Sequence, residues 1–250
     1  MDHGESHAGV LSGRGAVVTG GSRGIGRAVV ERLAADGAEV VFSYRREAEA
    51  ATRVAKETGA HAVQADVGSR EDLQRLFAEA EARLPGLDIL VSNAVQDLGR
   101  KPMTEISDDE YERVFAVNAR SVFLALQWAG RVMRDNGRII TISTLNTALP
   151  VATLALYQGS KAAAEQFTKV AARELGGRGI TANTVSPGTT DTDLLHATNS
   201  PEALQRVIPF TALGRLGRPD DIAAVVAFLA GPDGRWVTGQ NLLATGGMII

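Results

Sequence analysis

Short apolar runs alternate with longer amphipathic stretches along almost the whole chain, and no other feature restricts the fold as much. GAVVTG (15–20) reads as a buried strand, and IGRAVVERLAADG (25–37) as a helix closed by a glycine. AEVVFSY (38–44) is the next strand, and a helix follows from Glu47 to Thr58. AHAVQAD (60–66) is a third strand, and SREDLQRLFAEAEARL (69–84) a helix with Ser69 as its N-cap and Asp72 in its first turn. LDILVSNA (87–94) is a fourth strand, and one long helix is predicted from Asp108 to Arg134. The rest reads as strand 137–144, helix from Tyr157 to Leu175, strand 179–187, helix 219–231 and strand 239–247. Alternation of this kind demands right-handed crossovers, which build a parallel sheet covered on both faces.

The chain has 250 residues, 44% of them hydrophobic, enough for one domain with a large core. Residues 1–12 read as a polar tail and 13–250 as a single domain. The only sizeable irregular stretch is 188–218, and within it 189–212 is the expected lid over a substrate pocket. Twenty-six basic against 29 acidic residues give a net charge of −3, which offers no attractive field to nucleic acid. No apolar run approaches the roughly 20 residues that cross a bilayer. The start, MDHGESHAGVLSGRG, carries no secretory signal pattern, so a cytoplasmic location and no membrane partner are expected. There is no cysteine, which removes thiolate nucleophiles and disulfides. His3, His7, His61 and His196 are scattered without metal-ligand spacing, so no metal is expected.

TGGSRGIG (19–26) lies between the first strand and the first helix. Gly20, Gly24 and Gly26 let backbone approach a ligand, and the helix start offers free N–H groups to a phosphate. Ser22, Arg23 and Ile25 complete this candidate cofactor turn. A lone glycine-rich turn is a weak signal, but strand, turn, helix and second strand are the context a dinucleotide needs. The fold class is accordingly α/β, a Rossmann-type doubly wound parallel sheet of about seven strands with helices on both faces. An NAD-binding chain would carry an acidic residue at the end of the second strand. Here Tyr44 takes that place, followed by Arg45 and Arg46, with Arg23 nearby. Three guanidinium groups suit a 2′-phosphate, so NADP(H) is the expected cofactor. Asp66 is a candidate acceptor for the adenine amino group, or else a cap on the next turn.

YQGSK (157–161) places a phenol one helical turn before an ammonium. That cation makes the phenol more acidic, which suits it to proton transfer near neutral pH. Eight motifs then occur in one order: TGGSRGIG, DV (66–67), NA (93–94), VNARSVF (117–123), GRIITIST, YQGSK, SPG (186–188) and VTGQ (237–240). Over residues 13 to 250 the chain resembles the classical short-chain dehydrogenase/reductase family. It is most similar to the 3-oxoacyl-(acyl carrier protein) reductase and polyketide ketoreductase branch.

The resemblance implies a catalytic set of Asn118, Thr144, Tyr157 and Lys161. Tyr157 would protonate the carbonyl oxygen as hydride arrives. Lys161 would lower the Tyr157 pKa and hold the nicotinamide ribose. Asn118 would sit at a helix distortion that exposes a carbonyl to a relay water. Thr144, thirteen positions before Tyr157, would supply the hydroxyl that the family usually takes from Ser, with Ser143 the alternative if the register differs by one. Val67, Asn93, Pro187, Gly188, Thr190 and Thr192 join Tyr157 and Lys161 as cofactor contacts.

Two departures stand out. Val95 replaces a family glycine and would be strained if that position needs φ > 0. Thr245 replaces a family Asp, with a structural consequence expected. Segments 95–101, 145–156 and 189–212 are expected to line an apolar pocket without a fixed cation. Its polar side chains would be Asn146, Thr147 and Thr153, with His196 on the lid, either orienting a substrate or facing solvent. The substrate read from this is a ketone on an apolar skeleton, a polyketide or an acyl-thioester, free or on a carrier protein. Arg131, Arg134, Arg173 and Arg178 read better as helix-surface charges than as a carrier-protein surface. Apolar residues on more than one face of 108–134 and 157–175 point to a homo-oligomer, with a tetramer favoured. The alternatives are a non-catalytic NADP(H)-binding regulator and an alcohol dehydrogenase working in the oxidative direction.

Overall fold

A computed structural model describes residues 9–96 and 99–248. Seven parallel strands form one sheet in the order β3-β2-β1-β4-β5-β6-β7. They are β1 (Gly15–Val18), β2 (Glu39–Tyr44), β3 (His61–Gln64), β4 (Leu87–Ser92), β5 (Met133–Ile142), β6 (Thr181–Pro187) and β7 (Asn241–Ala244). The sheet runs outward in both directions from β1 and β4, which is where the chain crosses over and where α/β ligand sites form. Successive residues of each strand point to opposite faces. Val17, Leu90 and Ile139 therefore join one core, and Ala16, Val18, Ile89 and Ile140 the other.

Helices α1 (Gly24–Ala35) and α2 (Ala48–Thr58) cover one face; α3 (Arg70–Arg83) covers the other, N-capped by Ser69, which accepts from the Asp72 amide. Stacked Phe77 and Trp128 rings, with centroids 4.2 Å apart, fill the second face.

The helical stretch expected over 108–134 is three pieces, and its break is at Asn118, where the resemblance implied a distortion. The pieces are α4 (Asp108–Phe115), a π-helical turn over Ala116–Arg120, and α5 (Ser121–Val132). A Ser107–Glu110 capping box starts the first piece. The π turn contains Asn118, and β5 begins directly after α5, at Met133. Helix α6 (Ala155–Leu175) starts two residues before Tyr157, which puts that tyrosine in its first turn.

Residues 188–218 are not irregular throughout. They hold α7 (Asp193–Thr198), capped by Thr192, and α8 (Pro201–Val207), capped by Ser200. Helix α9 (Pro219–Ala230) packs beside α1. Residues 9–12 were expected in the polar tail, but Leu11 is buried and donates its amide to the Asp36 carbonyl at 2.8 Å. The rest of that tail lies outside the described residues. Among the described residues, no helix is long and apolar enough to cross a membrane.

Candidate active site

A groove runs along the carboxyl ends of the strands and has two compartments. One, of about 290 Å³, lies over the β1–α1 turn and is lined by Gly20, Ser22, Arg23, Gly24, Ile25, Gly26, Arg45, Asp66, Val67 and Asn93. The other, of about 560 Å³, is lined by Thr144, Tyr157, Lys161, Pro187, Gly188, Thr190 and Thr192 among others. Ile25, Asn93, Val95, Thr192 and Leu194 border both, so the compartments are continuous.

The glycine-rich turn is shaped by backbone packing. Gly20 has φ +71°, which an L side chain rarely adopts. A methyl group at Gly26 would collide with the Gly20 carbonyl oxygen. Asn93 locks the turn from β4 by donating to the Thr19 and Gly20 carbonyls, both at 3.0 Å. The amides at the start of α1 thus face an open groove that a backbone-hugging phosphate fits.

Arg23, Arg45 and Arg46 all line that compartment, beside Glu47 and Asp66. Arg23 lies 3.7 Å from Glu47, and Arg45 lies 3.9 Å from Asp66 and donates to Gln96 at 3.0 Å. These pairs are exposed and weak, so an incoming dianion competes for the guanidinium groups at little cost. Asp66 also caps the next turn, accepting from the Gly68 amide at 2.9 Å. Both readings of Asp66 are therefore compatible with its place.

Helix α6 positions the reactive pair. Tyr157 sits where the helix dipole favours a phenolate. Lys161, one turn on, is buried and donates from Nζ to the Ile142 carbonyl at 2.7 Å. Burial pushes its pKa down to about 8, partly opposed by the nearby Glu165 carboxylate. Asn118 is fully buried in the π turn. Its Oδ1 accepts from the Gln96 amide at 2.8 Å, and its Nδ2 donates to the Gln96 carbonyl at 2.9 Å and to Ser160 Oγ at 3.0 Å. Asn118 thereby fastens the loop after β4 to the helix of Tyr157.

Ser143 and Thr144 both border the larger compartment, but their hydroxyls differ. Ser143 Oγ donates to Glu165 at 2.5 Å, while Thr144 Oγ1 only accepts, from the Asn146 amide at 3.3 Å. Thr144 keeps a proton to give.

Two expectations need correction, on Val95 and on the polar residues of segment 145–156. Val95 is not in the positive-φ region; among the described residues of its loop Gly99 is, at φ +74°. Val95 instead projects where the two compartments meet. Of the two readings of His196, the solvent-facing one holds: it does not line the larger compartment, and its Nε2 lies 2.6 Å from Asp191 on the exposed lid. Of the three polar residues expected in segment 145–156, only Asn146 lines the larger compartment. Exposed Arg100 stands at the edge of the pocket, not fixed inside it. The walls are otherwise largely apolar, including Leu145, Val151, Leu154, Leu204 and Phe210. Arg134 and Arg178 are held by Asp88 and Asp135 at 3.2 and 2.9 Å, in keeping with surface charges. Thr245 packs its backbone under Gly188, where a side chain at 188 would collide with it.

Sequence reasoning missed Ser160, Gln158, Glu165, Arg100 and Met248. Ser160 lies inside YQGSK, and Glu165 stands four residues after Lys161, so both shared a helix face with residues already singled out. Gln158 lies in YQGSK as well; nothing local marked Arg100 or Met248, which border the larger compartment.

A family model described as enoyl-(acyl carrier protein) reductase matches residues 20–249. A hydroxynaphthalene reductase-like protein of Metarhizium brunneum is 39% identical, over 96% of both chains. A blue fluorescent protein from a metagenomic library, solved with NADPH, superposes with a TM-score of 0.91 at 42% identity, covering 96% of this chain and 99% of its own. The angucycline C-6 ketoreductase LanV, solved with bound NADP, gives 0.88 at 39% identity, covering 96% and 97%.

Proposed function

The chain belongs to the short-chain dehydrogenase/reductase family, and on that premise we propose that it is an NADPH-dependent ketoreductase acting on an apolar ketone. The observation that carries this reading is the meeting of Thr144, Tyr157 and Lys161 on an apolar cavity that opens into the glycine-rich groove. When bound, NADPH supplies the hydride that reaches the carbonyl carbon. The chain's own residues then have separable tasks. The turn 20–26 holds the pyrophosphate, and Arg23 and Arg45 favour a 2′-phosphate. Asn93, Val67 and Asp66 seat the adenosine side, and Pro187, Gly188, Thr190 and Thr192 the nicotinamide side.

Thr144 donates a hydrogen bond to the carbonyl oxygen as charge builds there. Tyr157 gives that oxygen its proton. The Lys161 ammonium and the helix start favour the phenolate that remains. Asn118 keeps the π turn and the loop of Gln96 in place behind them, in reach of a relay water.

The apolar walls favour a flat or aliphatic skeleton, a polyketide or an acyl-thioester, free or on a carrier protein. Relatives named for hydroxynaphthalene and angucycline reduction support the polycyclic form. Residues 189–212 act as the lid, within a single working domain of residues 13–250. Apolar side chains are exposed on α5 and α6, at Phe123 and Val170, and on α9 and beyond it, at Phe228, Trp236 and Leu243. Pairing of each region with its own copy would generate a tetramer with two-fold axes, and the enzyme would work as such in the cytoplasm.

The test is Tyr157→Phe with NADPH and 2-tetralone, a bicyclic ketone of suitable size. Loss of turnover with retained NADPH binding supports the reading. Wild-type turnover in the variant overturns it. Light scattering giving a sharp monomer mass would remove the tetramer.

A further inference from the structure

We infer that Glu165 is a positioning residue of this active site, fastening the strand end that carries Thr144 to the helix that carries Tyr157 and Lys161. The inference rests on the ketoreductase reading above and deepens it.

Glu165 is half-buried one turn beyond Lys161 on α6. One of its oxygens, Oε1, accepts from Ser143 Oγ at 2.5 Å and from Thr147 Oγ1 at 2.6 Å. These are the short distances of a hydroxyl donating to a carboxylate. Thr147 Oγ1 also lies 3.0 Å from the Thr144 carbonyl. The residues flanking Thr144 on both sides are therefore tied to a single oxygen. Thr144's own hydroxyl takes only a local bond, from the Asn146 amide at 3.3 Å, among the described residues. That bond lies within the tied segment, so it cannot fix Thr144 against α6. Lys161 Nζ on the Ile142 carbonyl and the Ser143 amide on the Val185 carbonyl hold the strand just before Thr144. Glu165 is the tie from α6 to the side chains around Thr144 itself, and so sets the aim of its hydroxyl relative to Tyr157. An oxyanion donor must sit close to its ideal place, because displacement by about 1 Å can cost about a hundredfold in rate.

The chemistry separates the tie from mere bulk. Both donors use the same oxygen, so the one carbonyl oxygen of a carboxamide can accept both. Leucine, of similar size, can accept neither.

The experiment measures kcat and KM with 2-tetralone and NADPH for wild type, Glu165→Leu and Glu165→Gln, each also in a Thr144→Ala background. Glu165→Leu is expected to lower kcat about tenfold or more while the KM for NADPH stays within about twofold. Glu165→Gln recovers most of that loss. In the Thr144→Ala background the leucine costs less than about twofold, because the group it misplaces is gone. The same fold-loss in both backgrounds, or full kcat in Glu165→Leu, overturns the inference.

If Glu165→Leu does not fold, Ser143→Ala combined with Thr147→Val removes the two donors instead. It is expected to show the same loss and the same dependence on Thr144, and an additive loss overturns the inference. If the wild-type protein leaves 2-tetralone unreduced, the ketoreductase reading fails on that probe. Crystal structures of wild type and the leucine variant with NADPH then decide the inference by themselves. Thr144 displaced by about 1 Å from Tyr157 supports it, and Thr144 unmoved overturns it.

Discussion

The two compartments of the groove are built by different means. The wall over β1 and α1 is shaped mainly by backbone: Gly20 at positive φ and Gly26 against the Gly20 carbonyl, with one side chain, Asn93, clasping the Thr19 and Gly20 carbonyls. The wall over the substrate pocket is shaped by side-chain grips from α6. Gln158 takes the Val151 carbonyl at 2.7 Å and its amide at 3.2 Å. Glu165 ties Ser143 and Thr147. A backbone-built wall admits almost no change of residue. A wall held by side-chain grips can be reshaped by a few substitutions, which suits a fixed cofactor beside a variable substrate.

The largest expected effect falls where the two walls meet. Tyr157→Phe should lower kcat by about three orders of magnitude or more while NADPH binding, read by the cofactor's fluorescence, stays near wild type. Equal loss of both would mean that Tyr157 belongs to the cofactor wall alone.

Gly26→Ala tests the backbone-built wall itself. The added methyl collides with a carbonyl rather than a flexible side chain, so a loss of about 2–3 kcal/mol is expected by chemical denaturation. NADPH affinity should fall with it. A variant as stable as wild type would break the contrast.

Arg45→Asp should shift the NADPH-over-NADH preference in kcat/KM by about tenfold to a hundredfold toward NADH. Because Arg45 is exposed and only loosely paired, stability should stay within about 0.5 kcal/mol. An unchanged preference would detach the arginines from cofactor choice.

Lys161 links the walls through pH. Its folded pKa is depressed to about 8 from an ordinary 10.5 by burial. The ammonium is present below about pH 8, so kcat/KM for reduction should fall as pH rises through that value. Stability moves the other way. Between about pH 8 and 10.5 the unfolded chain holds a proton that the folded chain has lost, so this residue's contribution rises with pH. Lys161→Met should therefore be inactive yet at least as resistant to heat as wild type.

The smallest effect tests the substrate wall. Thr153 holds φ +71°, which costs a β-branched residue about 1–2 kcal/mol. Thr153→Asn should gain about 1 kcal/mol in thermal unfolding, because Asn tolerates that backbone conformation. A loss would show that the loop is not strained.

Much of the fold was legible because its signals are local. Alternating apolar runs placed all seven strands, Ser69 announced the start of α3, and TGGSRGIG announced its turn between β1 and α1. The break of the expected long helix was not legible from periodicity. VNARSVF has no Pro or Gly to mark it, and the π turn is paid for by Asn118, whose partners Gln96 and Ser160 come from other elements. Every expected catalytic and cofactor residue except the buried Asn118 borders one compartment or the other, since YQGSK and its companions are compact motifs at strand ends. The choice between Ser143 and Thr144 needed the position of Glu165, 22 residues beyond Ser143. Val95 looked like strain because a glycine was expected there, yet the positive φ falls at Gly99, a matter of how the whole loop runs.

The sequence by itself determined the order of strands and helices, the turn that can approach a phosphate, and the phenol–ammonium pair. Each of these depends on residues within a turn or two of one another, where spacing is geometry. Only the tertiary structure decided which hydroxyl is left with a proton to give, where the cation at the pocket edge stands, and how far burial depresses Lys161. Those depend on partners far apart in the chain, and on the exclusion of water, which no short stretch of sequence records.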